Sequence, residues 1–314
     1  MLCNLLDTFR ILQQNHFKFM LSFKFLIIAV FCFSFKMVAQ YDASLVQTST
    51  LVYEGDKFQI IQLNRAKDRI KVKYFAAKDF INNKSIYQRF NQWKVGRNVV
   101  LYSSGTYMDD YSPYAKPVGL TMDQGVMVNE RLETNRLDAL VIVYATGGIV
   151  VTNLKEGNLN YYNQSTKVTA NLNNTIQRAG FINWAKENEA TVFQTHLLVY
   201  DNQLKLTDPR YSSCSSCKEQ RERRFLAAVK DAEGKIFHVV VNNLNQSNTL
   251  FQATQKTFKY LTEDADFKVV FMINLDTGAQ DVFQFYKSNG DPHQILKGTK
   301  ELGTAVNLLV YYFQ

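Results

Sequence analysis

The sequence predicts an α+β domain whose core is a strand-rich mixed sheet with a few packed helices. Apolar and basic residues alternate over 69–74, which is the period of a strand with one buried face. Ile86, Phe90 and Trp93 instead fall on one face of a helix. The chain then returns to an extended apolar run at 98–103, so elements of both types alternate.

The other elements follow from shorter patterns of the same two kinds. Apolar or alternating runs bounded by polar turns predict strands at 58–63, 117–121, 139–144, 148–153, 196–200, 225–229, 236–242, 268–275, 281–286 and 306–313. Helical spacing predicts helices at 176–188 and 249–262. The asparagine-rich stretch 158–174 predicts a loop or an irregular insertion. Because no repeat or linker divides the chain, 40–314 is predicted to be a single domain.

Residues 1–39 have the order of a secretory signal and are set apart from the fold. Two lysines precede the apolar run 25–35, and small residues follow before Gln40. That run is shorter than the ~20 residues of a spanning helix. We therefore expect a soluble exported protein, periplasmic or extracellular, that begins near Gln40. Residues 1–19 are interpreted as an upstream extension from a misassigned start, and an uncleaved anchor is the alternative because Met37 is large for a cleavage site.

The balance of basic and acidic residues indicates which classes of partner the chain could bind. The chain has 36 basic and 28 acidic residues, and the signal segment contains four of the basic and one of the acidic ones. The mature chain is therefore mildly basic, with its charge spread along the sequence and no arginine-rich arm. This pattern argues against a nucleic-acid partner and is compatible with a glycan or sugar-phosphate ligand.

Only two cysteines, Cys214 and Cys217, remain beyond the signal segment. A C-x-x-C pair is half a zinc site, a redox pair or a small local disulfide. Zinc would need two further ligands, for which His196 and His238 are the candidates. An exported protein meets an oxidising compartment, so the prediction is a disulfide or two free thiols without zinc, and no cofactor.

Four segments follow one another in an order found in one enzyme family. They are SSGTYMDDYSPYAKPVGLTMDQG (103–125), VFQTHLLVY (192–200), RRFLAAVKDAEGKIFHVVV (223–241) and FMINLDTGAQDVF (271–283). The residues that carry the pattern are Gly105, Tyr107, Pro117, Gly119, Leu120, Gly125, Gln194, Thr195, Leu198, Val199, Arg224, Gly234, Asp276 and Gly278. In these motifs the chain resembles the phosphodiester glycosidase domain family.

The resemblance implies a hydrolase that cleaves a glycosyl phosphodiester or a related envelope glycan linkage. Asp276 would be the catalytic carboxyl group and Arg224 would bind the phosphate, because a guanidinium makes two parallel charge-assisted hydrogen bonds. The other predicted substrate-binding residues are Gly105, Gln194, Thr195 and Gly278. We expect all six to meet around one cleft at the ends of strands. The structural alternatives are a salt bridge for Arg224 and a turn cap for Asp276.

The chain departs from the family pattern at three places. Ser103 and Ser104 stand where the family has asparagine, His196 stands in place of Gly-Pro, and 277–280 replaces a Gly-Gly-x-Ser sequence. No second carboxylate is assigned by the resemblance, although Asp109, Asp110 and Asp281 are available. The alternative function is therefore a non-catalytic protein that binds a carbohydrate or a partner on the same scaffold.

Overall fold

Three antiparallel sheets meet around one hydrophobic core. The computed structural model describes residues 41–65, 68–76, 85–108, 116–133, 137–154, 158–206, 214–278 and 281–314. The strands are β1 Val46–Tyr53, β2 Asp56–Asn64, β3 Ile70–Ala76, β4 Asn98–Ser103, β5 Thr121–Asp123, β6 Val126–Asn129, β7 Ala139–Val143, β8 Ile149–Asn153, β9 Asn158–Asn163, β10 Thr166–Asn171, β11 Thr191–Thr195, β12 Leu197–Tyr200, β13 Gln203–Leu204, β14 Arg223–Lys230, β15 Ile236–Asn243, β16 Lys268–Leu275, β17 Phe283–Tyr286, β18 Pro292–Lys297 and β19 Asn307–Phe313. The α-helices are α1 Ile86–Trp93, α2 Thr175–Glu187, α3 Ser215–Lys218 and α4 Leu250–Lys259.

Each sheet takes its strands from distant parts of the chain. The seven-stranded sheet has the order β1-β2-β15-β14-β16-β12-β13. A second sheet, the β11 sheet, has the order β6-β5-β11-β7-β8, and a third, the β19 sheet, has the order β18-β17-β4-β19-β3. Strands β9 and β10 form a separate hairpin. Strand β11 leads directly into β12, so the chain passes from the β11 sheet to the seven-stranded sheet between Thr195 and Leu197.

The inner faces of the three sheets form one shared core. Strand β14 shows the alternation, because Leu226 and Ala228 lie in the shared core while Phe225, Ala227 and Val229 face the other way. Each outer face is covered by one helix: α4 covers the seven-stranded sheet, α2 the β11 sheet and α1 the β19 sheet. Side-chain hydrogen bonds begin these helices at Asn174 and in the capping boxes of Ser85 and Thr249.

The α+β prediction is wrong, because the fold is mostly β with a small helical part. Of the described residues, 48% lie in strands or bridges and 19% in helices. The three predicted helices do form, at 86–93, 175–187 and 250–259. They lie singly on the outer faces of the sheets, so they cover the sheets and do not build a helical layer of their own.

Several strands have no strong signal in the sequence. The asparagine-rich stretch predicted as a loop forms the hairpin of β9 and β10, with Leu159 and Tyr161 packed under α2. Strand β1 is mostly exposed on both faces and shows little alternation. Strand β5 begins at Thr121, whereas the predicted strand ended there.

The described residues belong to one unit, Tyr41–Gln314. The predicted signal segment lies outside the described residues, and its cleavage stays a prediction. Among the helices that the structure describes, none has the length and apolar composition needed to cross a membrane.

Candidate active site

The four motif segments meet where the three sheets join. Strands β14 and β16 are antiparallel neighbours, so the start of one lies beside the end of the other. The backbone N–H of Asp276, just after β16, donates to the carbonyl of Gly105, just after β4, at 3.2 Å. The Thr195 hydroxyl at the end of β11 donates to the carbonyl of Asn274 at 2.7 Å. Direct hydrogen bonds therefore connect segments from all three sheets.

Gly105 is fixed by packing against the protein itself. Its N–H donates to Asn307 Oδ1 at 2.8 Å. A Cβ atom at this position would lie 2.5 Å from Cε2 of Tyr74 and 2.9 Å from Asn307 Oδ1. The absence of a side chain thus allows the end of β4 to approach β3 and β19. This close packing accounts for glycine at position 105 without a bound ligand.

Gln194 organises two backbone segments at the centre of the junction. Its Oε1 accepts from the N–H groups of Leu120 at 2.6 Å and Glu133 at 3.0 Å. Its Nε2 donates to the carbonyls of Glu133 and Leu137, both at 2.8 Å. The amide of this fully buried side chain is saturated, so it has no donor or acceptor left for a ligand.

Arg224 is buried and already paired. Its Nη1 lies 2.7 Å from Oδ1 of Asp281, and its Nε donates to Oδ1 of Asn242 at 2.6 Å. The guanidinium carbon lies 4.2 Å from the centre of the Phe283 ring. This is the salt-bridge arrangement that the sequence offered as the alternative for Arg224, and it engages Asp281, one of the three aspartates considered as a second carboxylate. Asp109 and Asp110 lie outside the described residues.

A cavity of about 120 Å³ lies beside Arg224. Its lining includes Glu222, Asn242, Thr277 and Lys297. Burial raises the pKa of Glu222, the charge of Asp281 raises it further, and Arg224 opposes both. The cavity therefore combines cationic groups with a carboxyl group that retains its proton to a higher pH than usual.

Asp276, the predicted catalytic carboxyl group, is buried at the junction of the sheets. It is only 7% exposed, and this burial raises its pKa above the ordinary value. A hydrogen bond from the Gly278 N–H, 2.8 Å from Oδ1, and the charge of Arg221 oppose the shift without cancelling it. Such a carboxyl group is suited to hold a proton and release it.

Gly278 allows a second arginine to approach Asp276. A Cβ atom on Gly278 would lie 2.9 Å from Nη1 of Arg221 and 3.1 Å from Oδ1 of Asp276. The Nε of Arg221 is buried and has no hydrogen-bond partner among the described residues. Its Nη1 lies 3.4 Å from a carboxylate oxygen of Glu219, which is largely exposed. Arg221 is therefore a cation near Asp276, and its Nε–H donor has no hydrogen-bond partner among the described residues.

An aromatic and amide cluster lies near Asp276 and interacts with its charge. The amide of Asn274 donates to the hydroxyl of Tyr107, whose ring lies edge-on to His196 with 5.2 Å between centroids. Burial raises the pKa of Tyr107, and the charge of Asp276 adds to the shift. Oδ1 of Asn274 is buried without a hydrogen-bond partner in the described part of the chain.

Arg221, Glu222 and Asn274 were not predicted from the sequence. The signals were present but ambiguous, since Arg221 and Glu222 stand in the run RERR with the motif residue Arg224. A charged run on this scale is usually a solvated surface. Arg223 and Arg224 are buried because β14 begins at Arg223 and lies in the middle of the seven-stranded sheet.

Cys214 and Cys217 form a disulfide. His196 lies at this pair, with Nε2 3.6 Å from Sγ of Cys217 and 3.9 Å from Sγ of Cys214. His238 does not lie there, because its Nδ1 is 2.8 Å from the Tyr311 hydroxyl in the shared core. The two histidines considered as zinc ligands therefore do not come together.

Comparisons with known proteins give structural neighbours at low similarity. No protein-family model matches the chain, and no curated protein matches it. The fold is similar to the catalytic domain of zebrafish N-acetylglucosamine-1-phosphodiester alpha-N-acetylglucosaminidase, auto-inhibited by its pro-peptide, with a TM-score of 0.46 and 12% identity over 86% of this chain and 82% of that one. It is also similar to a hypothetical protein from Synechocystis, with a TM-score of 0.45 and 12% identity over 86% of this chain and 62% of that one.

A third neighbour is a Burkholderia pseudomallei protein whose name describes it as exported. The TM-score is 0.37 and the identity 9%, over 82% of this chain and 74% of that one. Similarities at these values concern the arrangement of the backbone. They identify no catalytic or binding residue in this chain, so a proposed function rests on the geometry of the site.

Proposed function

We propose that this chain is an exported hydrolase that cleaves a glycosyl phosphodiester, with Asp276 as the group that donates a proton. The observation that carries the proposal is the carboxyl group of Asp276, which is buried, has a raised pKa and lies beside the incompletely used donors of Arg221. The proposal of export rests on the order of residues in 1–39.

The reaction would break the bond between the sugar carbon and the bridging oxygen of the phosphodiester. Water adds to the sugar carbon, and the products are a free sugar and a phosphomonoester. Asp276 would give its proton to the leaving oxygen, and Arg221 would hold the phosphate charge through charge-assisted hydrogen bonds. Arg224 contributes positive charge from the cavity wall, and Gly278 keeps the space between Arg221 and Asp276 open.

Glu222 is the proposed partner that accepts a proton from water. Its raised pKa gives a carboxylate that is a stronger base than an ordinary glutamate. It is joined to the Asp276 segment, because its carbonyl accepts from the Thr277 hydroxyl at 3.0 Å. Gly105, Gln194 and Thr195 are assigned to the scaffold, since their contacts are internal.

A second candidate function is binding without turnover. The cavity beside Arg224 has about 120 Å³, whereas ligand pockets commonly have ~300–1,000 Å³. The bond between Arg224 and Asp281 also occupies a cation that a phosphate would use. Both observations favour a protein that holds a small part of a glycan and leaves its linkage intact.

Turnover of a broad panel of sugar 1-phosphodiesters separates the two candidates. The wild-type chain is expected to release free sugar, and Asp276→Asn is expected to lower kcat by roughly 10²–10⁴ because general acid catalysis is lost. Asp291→Asn, at an exposed aspartate in the turn before β18, is the matched control and should leave kcat unchanged. No turnover by the wild-type chain, with retained binding of the same diesters, would favour the binding function.

The pH profile gives a second test of the same assignment. A general acid acts while protonated, so kcat/KM is expected to fall as the pH rises through the raised pKa of Asp276. Arg221 lowers this pKa, so Arg221→Met should move the alkaline limb to higher pH and raise KM for the diester. An alkaline limb that does not move in Arg221→Met contradicts the assignment of Asp276 as the acid.

A further inference from the structure

The disulfide and His196 form a compact group of metal-binding residue types outside the proposed catalytic carboxyl groups. His196, Cys214 and Cys217 are all buried, with 4%, 4% and 1% of their surfaces exposed. Their ligand atoms lie within 4.8 Å of one another, and among the described residues no other histidine, cysteine, aspartate or glutamate joins them. The histidine comes from the β11–β12 connection and the cysteines from the segment before β14, so the fold itself brings the three together.

We infer that the reduced pair Cys214 and Cys217, together with Nε2 of His196, forms a three-coordinate site for the thiophilic cation Cu⁺. The site is absent in the disulfide form, in which both sulfurs are bonded to each other. The chain therefore has two exclusive states at this position, a cystine state and a metal-binding dithiol state.

Two of the three distances between the ligand atoms already suit such a site. Metal bonds of about 2.3 Å to sulfur and about 2.0 Å to nitrogen, at trigonal angles, place each sulfur about 3.7 Å from the nitrogen. The observed distances from Nε2 of His196 are 3.6 Å to Cys217 and 3.9 Å to Cys214. Only the separation between the two sulfurs has to increase after reduction.

The number and type of ligands select Cu⁺ over Zn²⁺. Thiolates are soft ligands that favour Cu⁺ and Zn²⁺, but structural zinc is almost always bound by four ligands in a tetrahedron. The group found in the described residues supplies three. Its near-complete burial also leaves little room for water as a fourth ligand.

Nearby donors stabilise the negative charge of the thiolates. The backbone N–H of Cys217 donates to Sγ of Cys214 at 3.2 Å. The guanidinium of the buried Arg223 donates to the carbonyls of Ser216 at 3.1 Å and Glu219 at 2.6 Å, which places a positive charge on the loop that joins the cysteines. Two thiolates with one Cu⁺ have a net charge of −1, which this arginine offsets.

Formation of the site needs a reductant, and a dithiol supplies it. One thiolate of the dithiol attacks a cystine sulfur, the Cys214–Cys217 bond breaks, and a mixed disulfide forms. The second thiol of the reductant resolves it, so that two electrons and two protons pass to the cysteines and the reductant becomes a cyclic disulfide. Binding of Cu⁺ then releases the two thiol protons to solvent.

A chelator competition tests the inference with the metal alone. The full chain carries Cys3→Ser and Cys32→Ser so that Cys214 and Cys217 are its only thiols. It is reduced with dithiothreitol, desalted without oxygen and titrated with Cu⁺ against bicinchoninate. The expected result is one Cu⁺ per reduced chain and none per oxidised chain, with X-ray absorption showing two sulfur ligands and one nitrogen ligand.

Variants decide which residues bind the metal. His196→Ala is expected to weaken Cu⁺ binding on the order of 10–100-fold or more, while His293→Ala, outside the cluster, leaves it unchanged. Circular dichroism checks that each variant is folded, and the oxidised parent chain is the control that needs no substitution. Equal Cu⁺ affinity in His196→Ala and the parent, no Cu⁺ taken up by the reduced parent, or a preference for four-coordinate Zn²⁺ would each overturn the inference.

Discussion

Two buried aspartates in this molecule have opposite surroundings. Asp56, at the start of β2, is 1% exposed and its carboxylate accepts from four side chains. The donors are Asn243 at 2.9 Å, Asn245 at 2.5 Å, Lys256 at 2.8 Å and Asn248. Asp276, at the junction of the sheets, is 7% exposed and its carboxyl group accepts a hydrogen bond from the backbone N–H of Gly278.

The number of donors decides the protonation of each group. Burial acts to raise the pKa of both aspartates. At Asp56 the hydrogen bonds from Lys256 and the three asparagines outweigh burial and lower the pKa, whereas at Asp276 burial prevails and the pKa is raised. A buried carboxylate with a full set of donors is locked in its charged form and stabilises the fold. One with few donors keeps a proton available for chemistry.

Removing Asp56 is expected to have the largest effect on stability. Asp56→Ala leaves Lys256 and three asparagine amides without their acceptor, which costs about 3–5 kcal/mol of unfolding free energy. Urea unfolding followed by circular dichroism measures it. Since the folded pKa is lowered, the contribution of Asp56 is present above the unfolded pKa of about 3.8 and is lost as the pH falls through the folded value. A loss that is the same at pH 7 and at strongly acidic pH would contradict this account.

Replacing Gln194 extends the comparison of buried polar groups to a side-chain amide with four hydrogen bonds. Gln194→Leu keeps the side-chain size but leaves two backbone N–H groups and two carbonyls without partners. The expected loss is about 3 kcal/mol, because buried backbone groups lose the side chain that satisfies them. Asn188→Leu, which removes one half-buried bond to the Trp184 carbonyl, is the control and should cost about 1 kcal/mol. Equal losses in the two variants would refute the view that Gln194 organises the junction.

Asp276 should respond in the opposite direction from Asp56. Because its folded pKa is raised, its contribution to stability is full below the unfolded pKa and is lost as the pH rises through the folded value. Asp276→Asn keeps an acceptor for the Gly278 N–H and removes the buried charge, so it is expected to raise the melting temperature slightly at neutral pH and to have no such effect at strongly acidic pH. Scanning calorimetry at both pH values measures the difference. Lower stability at neutral pH would show that Asp276 is structural, like Asp56.

The fold was predictable where one face of an element is apolar at a regular spacing. The helices α2 and α4 meet this condition, because each packs one face on a core. Strands β3, β4 and β19 have apolar residues on both faces, because one face lies in the shared core and the other packs with α1. Strand β1 does not meet the condition, since most of its residues are exposed. Its extended conformation is stabilised by pairing with β2. The overall class was missed for a related reason, because periodicity identifies helices but not whether they form a layer or lie singly on sheets.

The sequence indicated which segments lie near one another, and their common substrate cleft stays a prediction. The segments around Gly105, Thr195, Arg224 and Asp276 are connected by hydrogen bonds and an ion pair. Which polar groups remain available depends on partners that are distant in sequence. The four backbone groups that bond to Gln194 belong to Leu120, Glu133 and Leu137 in loops. Only the tertiary fold brings these loops to Gln194 and Asp281 to Arg224, and no local pattern encodes either arrangement.

The smallest expected effect comes from an exposed pair beside Asp56. Lys256 and Lys259 both lie on α4, one turn apart, and both reach the β1–β2 hairpin, where Lys256 pairs with Asp56 and Lys259 with Glu54. The second pair is exposed on both sides, with 45% and 40% of the side chains accessible. Water and salt screen it, so Lys259→Met should not change the urea midpoint beyond experimental error, and any change should vanish at high salt.

Lys256→Met provides the matched comparison on the same helix. Its partner is buried, so the loss should reach about 1.5–3 kcal/mol, as for a hydrogen bond between charged groups, and should persist at high salt because the Asp56 carboxylate is shielded from ions. The two lysines lie on the same helix and reach the same hairpin. They differ in the burial of the carboxylate with which each one pairs. Equal effects of the two substitutions would mean that burial of the acceptor does not set the strength of these pairs, and the contrast between Asp56 and Asp276 would then need another cause.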